Sequence, residues 1–203
     1  MKPGARVAAA IELFEELDDL WQRGSRTPAD GVLALYYRHR RYIGSKDRRE
    51  ISRIVYGVVR NETALRWRLE QTGLILTPRE LVLGELVFLD GRGLGEIEEL
   101  FNGQEYCPEP LDSEEANWVR THEGQPLLHA DMPEPVRLNY PDWMQPVLQE
   151  LFGDQLTEAM AALNAEAAVD LRVNILKATR EQVMAALVDD GMEPIPTPFA
   201  TDG

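Results

Sequence analysis

The stretch RYIGSKDRREISRIVYGVVRN, Arg41–Asn61, decides how the front of the chain is read. After the Gly44-Ser45 turn, Ile51, Ile54, Val55 and Val58 recur at i, i+3, i+4 and i+7, the spacing of one apolar helix stripe. Arg48, Arg49, Arg53 and Arg60 are left to the other faces. Asp47, with Glu50 three residues on, reads as an N-cap and capping box, a start that stabilises the helix by about 1 kcal/mol. Asn61 is expected to kink or end the helix, and Leu65 and Leu69 follow one turn apart before a stop at Gly73. The result is an amphipathic helix with a cationic rim.

Working outward, residues 5–22 repeat Val7, Ile11, Phe14, Leu17 and Trp21 at helical intervals, and GSRTPADG breaks the pattern. ADGVLALYYRHRR predicts a second helix with Val32, Leu35 and Tyr36 toward the core and a basic last turn. Thr77 as cap and Pro78 at the first helical position open a central helix in TPRELVLGELVFLDG, and LGEIEELFNG gives a shorter one. Gln104–Pro135 holds five prolines and one helix, capped by Asp112 or Ser113, and reads as a domain edge or linker. YPDWMQPVLQELFGDQLTEAMAALNAEA reads as two helical pieces split at Gly153.

Then the period changes. VDLRVNIL is a short β-rich run, TREQVMAALVDDG a helix capped by Thr179 with Gln182 at the box position, and MEPIPTPFATDG a second extended run. That order predicts β-α-β. The expected fold class is therefore mainly α: an all-α bundle in 1–131, then linker helices and the start of a small α+β domain in 132–203. A unit that stops just as it begins is expected to belong to a longer protein.

Composition is that of a soluble globular chain, with 203 residues and a formal charge of −14. The charge is unevenly placed. Arg38 to Arg68 holds ten Lys or Arg against three acids, a net +7 that leaves −21 for the rest. Such a dipolar surface would meet an anionic partner in one region only. One cysteine, Cys107, excludes an internal disulfide, and the three histidines lack zinc-site spacing, so a reducing, cytoplasmic setting without metal is expected. The apolar start is interrupted by Glu12, Glu15 and Glu16, so it makes no signal peptide, and no apolar run is long enough for a membrane span.

Active-site signals are weak. GRGLG, Gly91–Gly95, lacks the glycine spacing of a dinucleotide loop and fits a helix end and turn. Cys107 has acidic neighbours, Glu105 and Glu109, which disfavour a thiolate, so it reads as an incidental thiol. No nucleophile-base or paired-carboxylate arrangement emerges, so no catalytic residue is assigned. Tyr36 and Tyr56 are expected in the core, while Tyr37 and Tyr42 stay open between core and a base-stacking platform.

The basic stretch remains. Most charge runs are solvated helix faces. Here the basic end of one helix and the basic start of the next meet at a tight turn, and crowding Arg38, Arg40, Arg41, Lys46, Arg48, Arg49 and Arg53 there calls for an offsetting anion. A phosphate backbone is the expected one.

These residues also carry a resemblance. Arg41–Asn61 resembles the NusB-like helical domain at the front of the Sun/RsmB family of RNA cytosine-5 methyltransferases. YPDW, Tyr140–Trp143, followed by DLRVNILKATREQV, Asp170–Val183, resembles the segment preceding that family's catalytic domain. The resemblance implies a modular enzyme that binds ribosomal RNA through its helical domain and uses S-adenosylmethionine in a separate catalytic domain. There one cysteine attacks C6 of the target cytosine and a second assists release. Neither cysteine motif nor the cofactor loop is among these 203 residues, so the chain itself is expected to be inactive. Arg172, Asn174, Lys177 and Arg180 are secondary RNA-binding candidates. The rival readings are a non-enzymatic NusB-like module binding RNA and a protein partner, and an acidic helical domain whose basic corner meets an acidic protein patch.

Overall fold

The structure, a computed structural model, describes all residues except Gly73, Glu166, Ala168, Phe199 and residues 201–203. Helices α1 (Pro3–Gln22), α2 (Ala29–His39) and α3 (Ser45–Glu70) are followed by α4 (Pro78–Phe88), α5 (Leu94–Leu100) and α6 (Ser113–His122). Then come α7 (Glu134–Leu138), α8 (Gln145–Phe152), α9 (Leu156–Asn164) and α10 (Arg180–Asp189). The chain divides into a unit Met1–Asn164 and a unit Ala165–Gly203.

In the first unit α3 is the axis, packing against both α1 and α4. Ile51, Ile54, Val55, Val58, Leu65 and Leu69 are buried, so the stripe read from the sequence continues along the whole helix. Asn61 does not end it: its side-chain amide donates to the Gly57 carbonyl at 2.9 Å, a bond back along the same helix that leaves the ladder running. The helix starts one turn earlier than expected, with Gly44 as N-cap. Asp47 sits inside the first turn and accepts from the Met1 amine at 3.1 Å and from Arg6 at 2.7 Å, which hold its pKa down. The expected stop at Gly73 lies outside the described residues.

Three other caps fall where the sequence puts them. Thr77 and Glu80 make a capping box on α4, Asp112 and Glu115 one on α6, and Thr179 and Gln182 one on α10. On α2 the buried side chains are Val32, Leu33, Tyr36 and Tyr37, whereas Leu35, expected in the core, is 53% exposed. The stripe is shifted by one residue because Tyr37, not Leu35, reaches α3, its hydroxyl lying 2.8 Å from that of Ser52. Tyr56 packs against the core from its margin.

A second cluster, Leu138, Tyr140, Leu148, Leu156 and Met160, forms around α7–α9 within the same unit. Asn139, left-handed at φ 60°, turns the chain after α7 and donates to the Arg60 carbonyl at 2.8 Å, tying this cluster to α3. The contact boundary falls after Asn164, while the composition shift in the sequence falls near residue 131.

The second unit corrects the expected fold class. Helix α10 forms, yet no strand flanks it among the described residues, so the chain is helical and the β-α-β segment is not seen. Of the apolar residues of the two extended runs, Val169, Leu171, Ile175, Leu176, Met192 and Ile195 are exposed and Val173 is buried, while Phe199 and residues 201–203 of the second run lie outside the described residues. Among the described residues no strand pairs with either run, and two runs alone fall short of the three or so that an independent sheet needs. The first run is instead closed by a turn in which Lys177 and Ala178 donate to the Asn174 carbonyl.

Leu33→Ala, which empties a buried site, is expected to cost about 2–5 kcal/mol in urea unfolding. Leu35→Ala, two residues away, should change stability by less than about 0.5 kcal/mol. The reverse order would contradict the orientation of α2.

Candidate functional site

The turn of residues 40–44 joins the basic end of α2 to the basic start of α3, so one corner carries all seven first-ranked cations. Three of them turn inward. Arg40 pairs with Glu12 and Glu16 of α1 and its guanidinium lies 3.7 Å from the Tyr36 ring centre. Arg48 donates to the Ile43 carbonyl at 2.7 Å, bracing the turn, and lies over the Tyr37 ring. Arg53 donates to Glu50, to Glu85 at 3.0 Å and to both oxygens of Asp90 at 2.7 Å. The crowding that seemed to require an external anion is thus partly offset by the protein's own carboxylates.

Glu85 is the costly member of this set. It is 1% exposed, its second oxygen has no partner, and a Cβ on Gly57 would sit 2.6 Å from its first. Burial, reinforced by nearby Asp90, pushes its pKa up to about 8 against the pull of Arg53. At neutral pH it is largely protonated, and its contact with Arg53 is then a hydrogen bond to a neutral acid. The charge of Arg53 is balanced by Asp90 and Glu50. A single Glu in the apolar run LVLGELVF was the sequence signal for this buried acid.

Arg38, Arg41, Lys46 and Arg49 are exposed, and among the described residues none has a hydrogen bond or ion pair. They lie beside the start of α3, which no side chain caps. Helix N-terminal amides and unpaired cations together favour an anion. Of the aromatic residues left open, Tyr37 is buried and Tyr42 is 76% exposed in the same turn.

The secondary candidates belong to the second unit. Arg172 is engaged within the structure, Asn174 accepts from the Leu176 amide through its side chain, and Arg180 lies 3.9 Å from Glu181. Lys177 is exposed.

The described residues include no group that could hold a metal ion and no helix long and apolar enough to cross a membrane. Cys107 is a half-buried free thiol. The glycines at 91–95 join two helices, with Gly91 at φ 67° and the Arg92 amide donating to Leu86. The amides of Gly93 and Leu94 are already taken by Glu96 and Glu123. This segment is therefore a helix-to-helix turn whose amides are occupied, not an open anion-binding loop.

A helical bundle with a partly neutralised cationic corner and a second, smaller unit is the class these observations define. Residues 140–203 match the family model described as the Methyltr_RsmF/B-like, ferredoxin-like domain. No curated protein matches the chain. The match supports a relationship to RsmF/RsmB-like methyltransferases, and both YPDW and DLRVNILKATREQV lie inside it. The Arg41–Asn61 stretch lies outside it.

Glu85 also sets a pH dependence. Between its ordinary value of 4.5 and about 8 the folded chain keeps a proton that the unfolded chain releases, so its contribution to stability falls as pH rises through that window. Thermal melts of Glu85→Gln should therefore depend less on pH from about 5 to 8 than the wild type. The variant should gain on the wild type toward the alkaline end, and an equally steep decline would contradict the buried neutral acid.

Proposed function

We propose that this chain is the substrate-binding portion of an S-adenosylmethionine-dependent RNA cytosine-5 methyltransferase acting on ribosomal RNA in the cytoplasm. The match of residues 140–203 to the RsmF/B-like methyltransferase domain carries this reading. Methyl transfer itself would fall to residues other than these, since the chain holds a single cysteine where the proposed chemistry uses two. Its own task is to hold RNA by the backbone, recognising charge and shape more than sequence.

The free cations set the contact. Arg38, Arg41, Lys46 and Arg49 present four charges from the last turn of α2, the 40–44 turn and the start of α3, while Arg40, Arg48 and Arg53 fix the corner's shape through internal partners. Arg172, Asn174, Lys177 and Arg180 would extend the RNA contact on the second unit. The methyltransferase-type match favours this reading over a stand-alone binding module.

Fluorescence anisotropy with a single-stranded RNA tests it. Neutralising four phosphates gives a slope of log K against log salt of about −3, at roughly −0.7 per contact. Reversing Arg38, Arg41, Lys46 and Arg49 to Glu should abolish binding while circular dichroism stays helical, because none of the four has an internal partner to lose. Unchanged affinity in that folded variant would overturn the assignment.

A further inference from the structure

A groove of about 840 Å³ opens within the first unit, lined by Ala5, Ala8 and Ala9 of α1, by Tyr42 from the 40–44 turn, and by Glu105 and Tyr106. A space of this size accommodates a nucleoside. Tyr42 and Tyr106 are each 76% exposed, and among the described residues neither ring contacts another aromatic ring or a cation. Both line the same groove as the small side chains of α1.

Tyr106 is in an unusual position. It is the third residue of a turn closed by the Cys107 amide donating to the Gln104 carbonyl at 2.8 Å, and its φ is +67°. That left-handed region favours glycine, and a tyrosine there is strained without any gain from burial. The surrounding bonds hold it in place. The Gln104 amide donates to Asn102 at 2.9 Å, the Gln104 side chain accepts from Lys2 at 3.3 Å, and the Gly103 amide donates to the Pro108 carbonyl at 2.9 Å. Strain kept at an exposed aromatic residue points to a use outside the fold.

The geometry points to a base-binding groove: Tyr42 and Tyr106 take one unpaired nucleobase of an RNA strand whose adjoining phosphates rest on the basic corner. Arg41 directly precedes Tyr42, and Lys46 follows in the first turn of α3, so the ring and the free cations share one short segment. Aromatic faces accept any base, and the Tyr106 hydroxyl donates to the Glu105 carboxylate, which tethers its ring at the groove. This inference rests on the RNA reading above and adds a base to its phosphate contacts.

The test compares a single-stranded RNA with an abasic ribose-phosphate strand of the same length, using the whole chain. The wild type should prefer the RNA. Tyr42→Ala and Tyr106→Ala should each weaken RNA binding roughly tenfold, leave the abasic strand's affinity unchanged and keep the salt slope. Tyr106→Gly should lose the same affinity while its melting temperature rises, a combination that a purely structural tyrosine would not give. Wild-type affinity in the tyrosine variants overturns the groove and leaves the phosphate corner standing. An equal loss on both strands also overturns it, and no binding by the wild type to either strand overturns both readings.

Discussion

One 26-residue helix must bury an apolar stripe and accommodate seven cations, and the first unit is organised around that constraint. With α1 on one side and α4 on another, the arginines of α3 cannot all reach water. Arg53 meets Glu85, Asp90 and Glu50, and Arg66 meets Glu62 and Asp18. Arg68, buried with its pKa lowered by desolvation, donates to Gln125 at 2.8 Å and lies over the Phe88 ring. Arg48 closes on the Ile43 carbonyl, and Arg60 lies 5.8 Å from the Tyr56 ring centre. Lys46 and Arg49, at the start of the helix, are what this internal pairing leaves over.

That remainder gives the corner its character. A charge run that is entirely solvated says little, and one that is entirely paired is structural. Here the two kinds alternate: Arg40, Arg48 and Arg53 are committed to the fold, and Arg38, Arg41, Lys46 and Arg49 are not. The committed ones hold the turn rigid and the free ones present charge from it. Because the rest of the chain is acidic, the field of this corner would guide an anionic strand to one place and repel it elsewhere.

The helices were legible because their signals are local. Ile51 to Val58 states its period outright, and Thr77, Asp112 and Thr179 announce helix starts through bonds made within three residues. Asp47 misled for the opposite reason: the groups that claim it, the Met1 amine and the Arg6 side chain, lie 46 and 41 positions away. Leu35 faces outward and Tyr37 inward although either fits the α2 period, because only packing against α3 chooses between them. The two extended runs around α10 have strand-like composition, but strands exist only with partners, which no window of sequence contains. Charge on the corner was visible in the sequence, and the division into committed and free cations was not. That division depends on carboxylates from α1 and α4. The Tyr42–Tyr106 groove was hidden likewise, since it joins turns more than sixty residues apart.

The central claim is that the corner between α2 and α3 is where this chain meets RNA. Backbone amide NMR of the isotope-labelled chain titrated with single-stranded RNA tests it most directly, since it locates binding residue by residue. Shift changes concentrated at residues 38–49, with a second group at 104–107, are the predicted result. Saturable changes confined to α8 and α9 or to residues 165–203, with the corner silent, would contradict it.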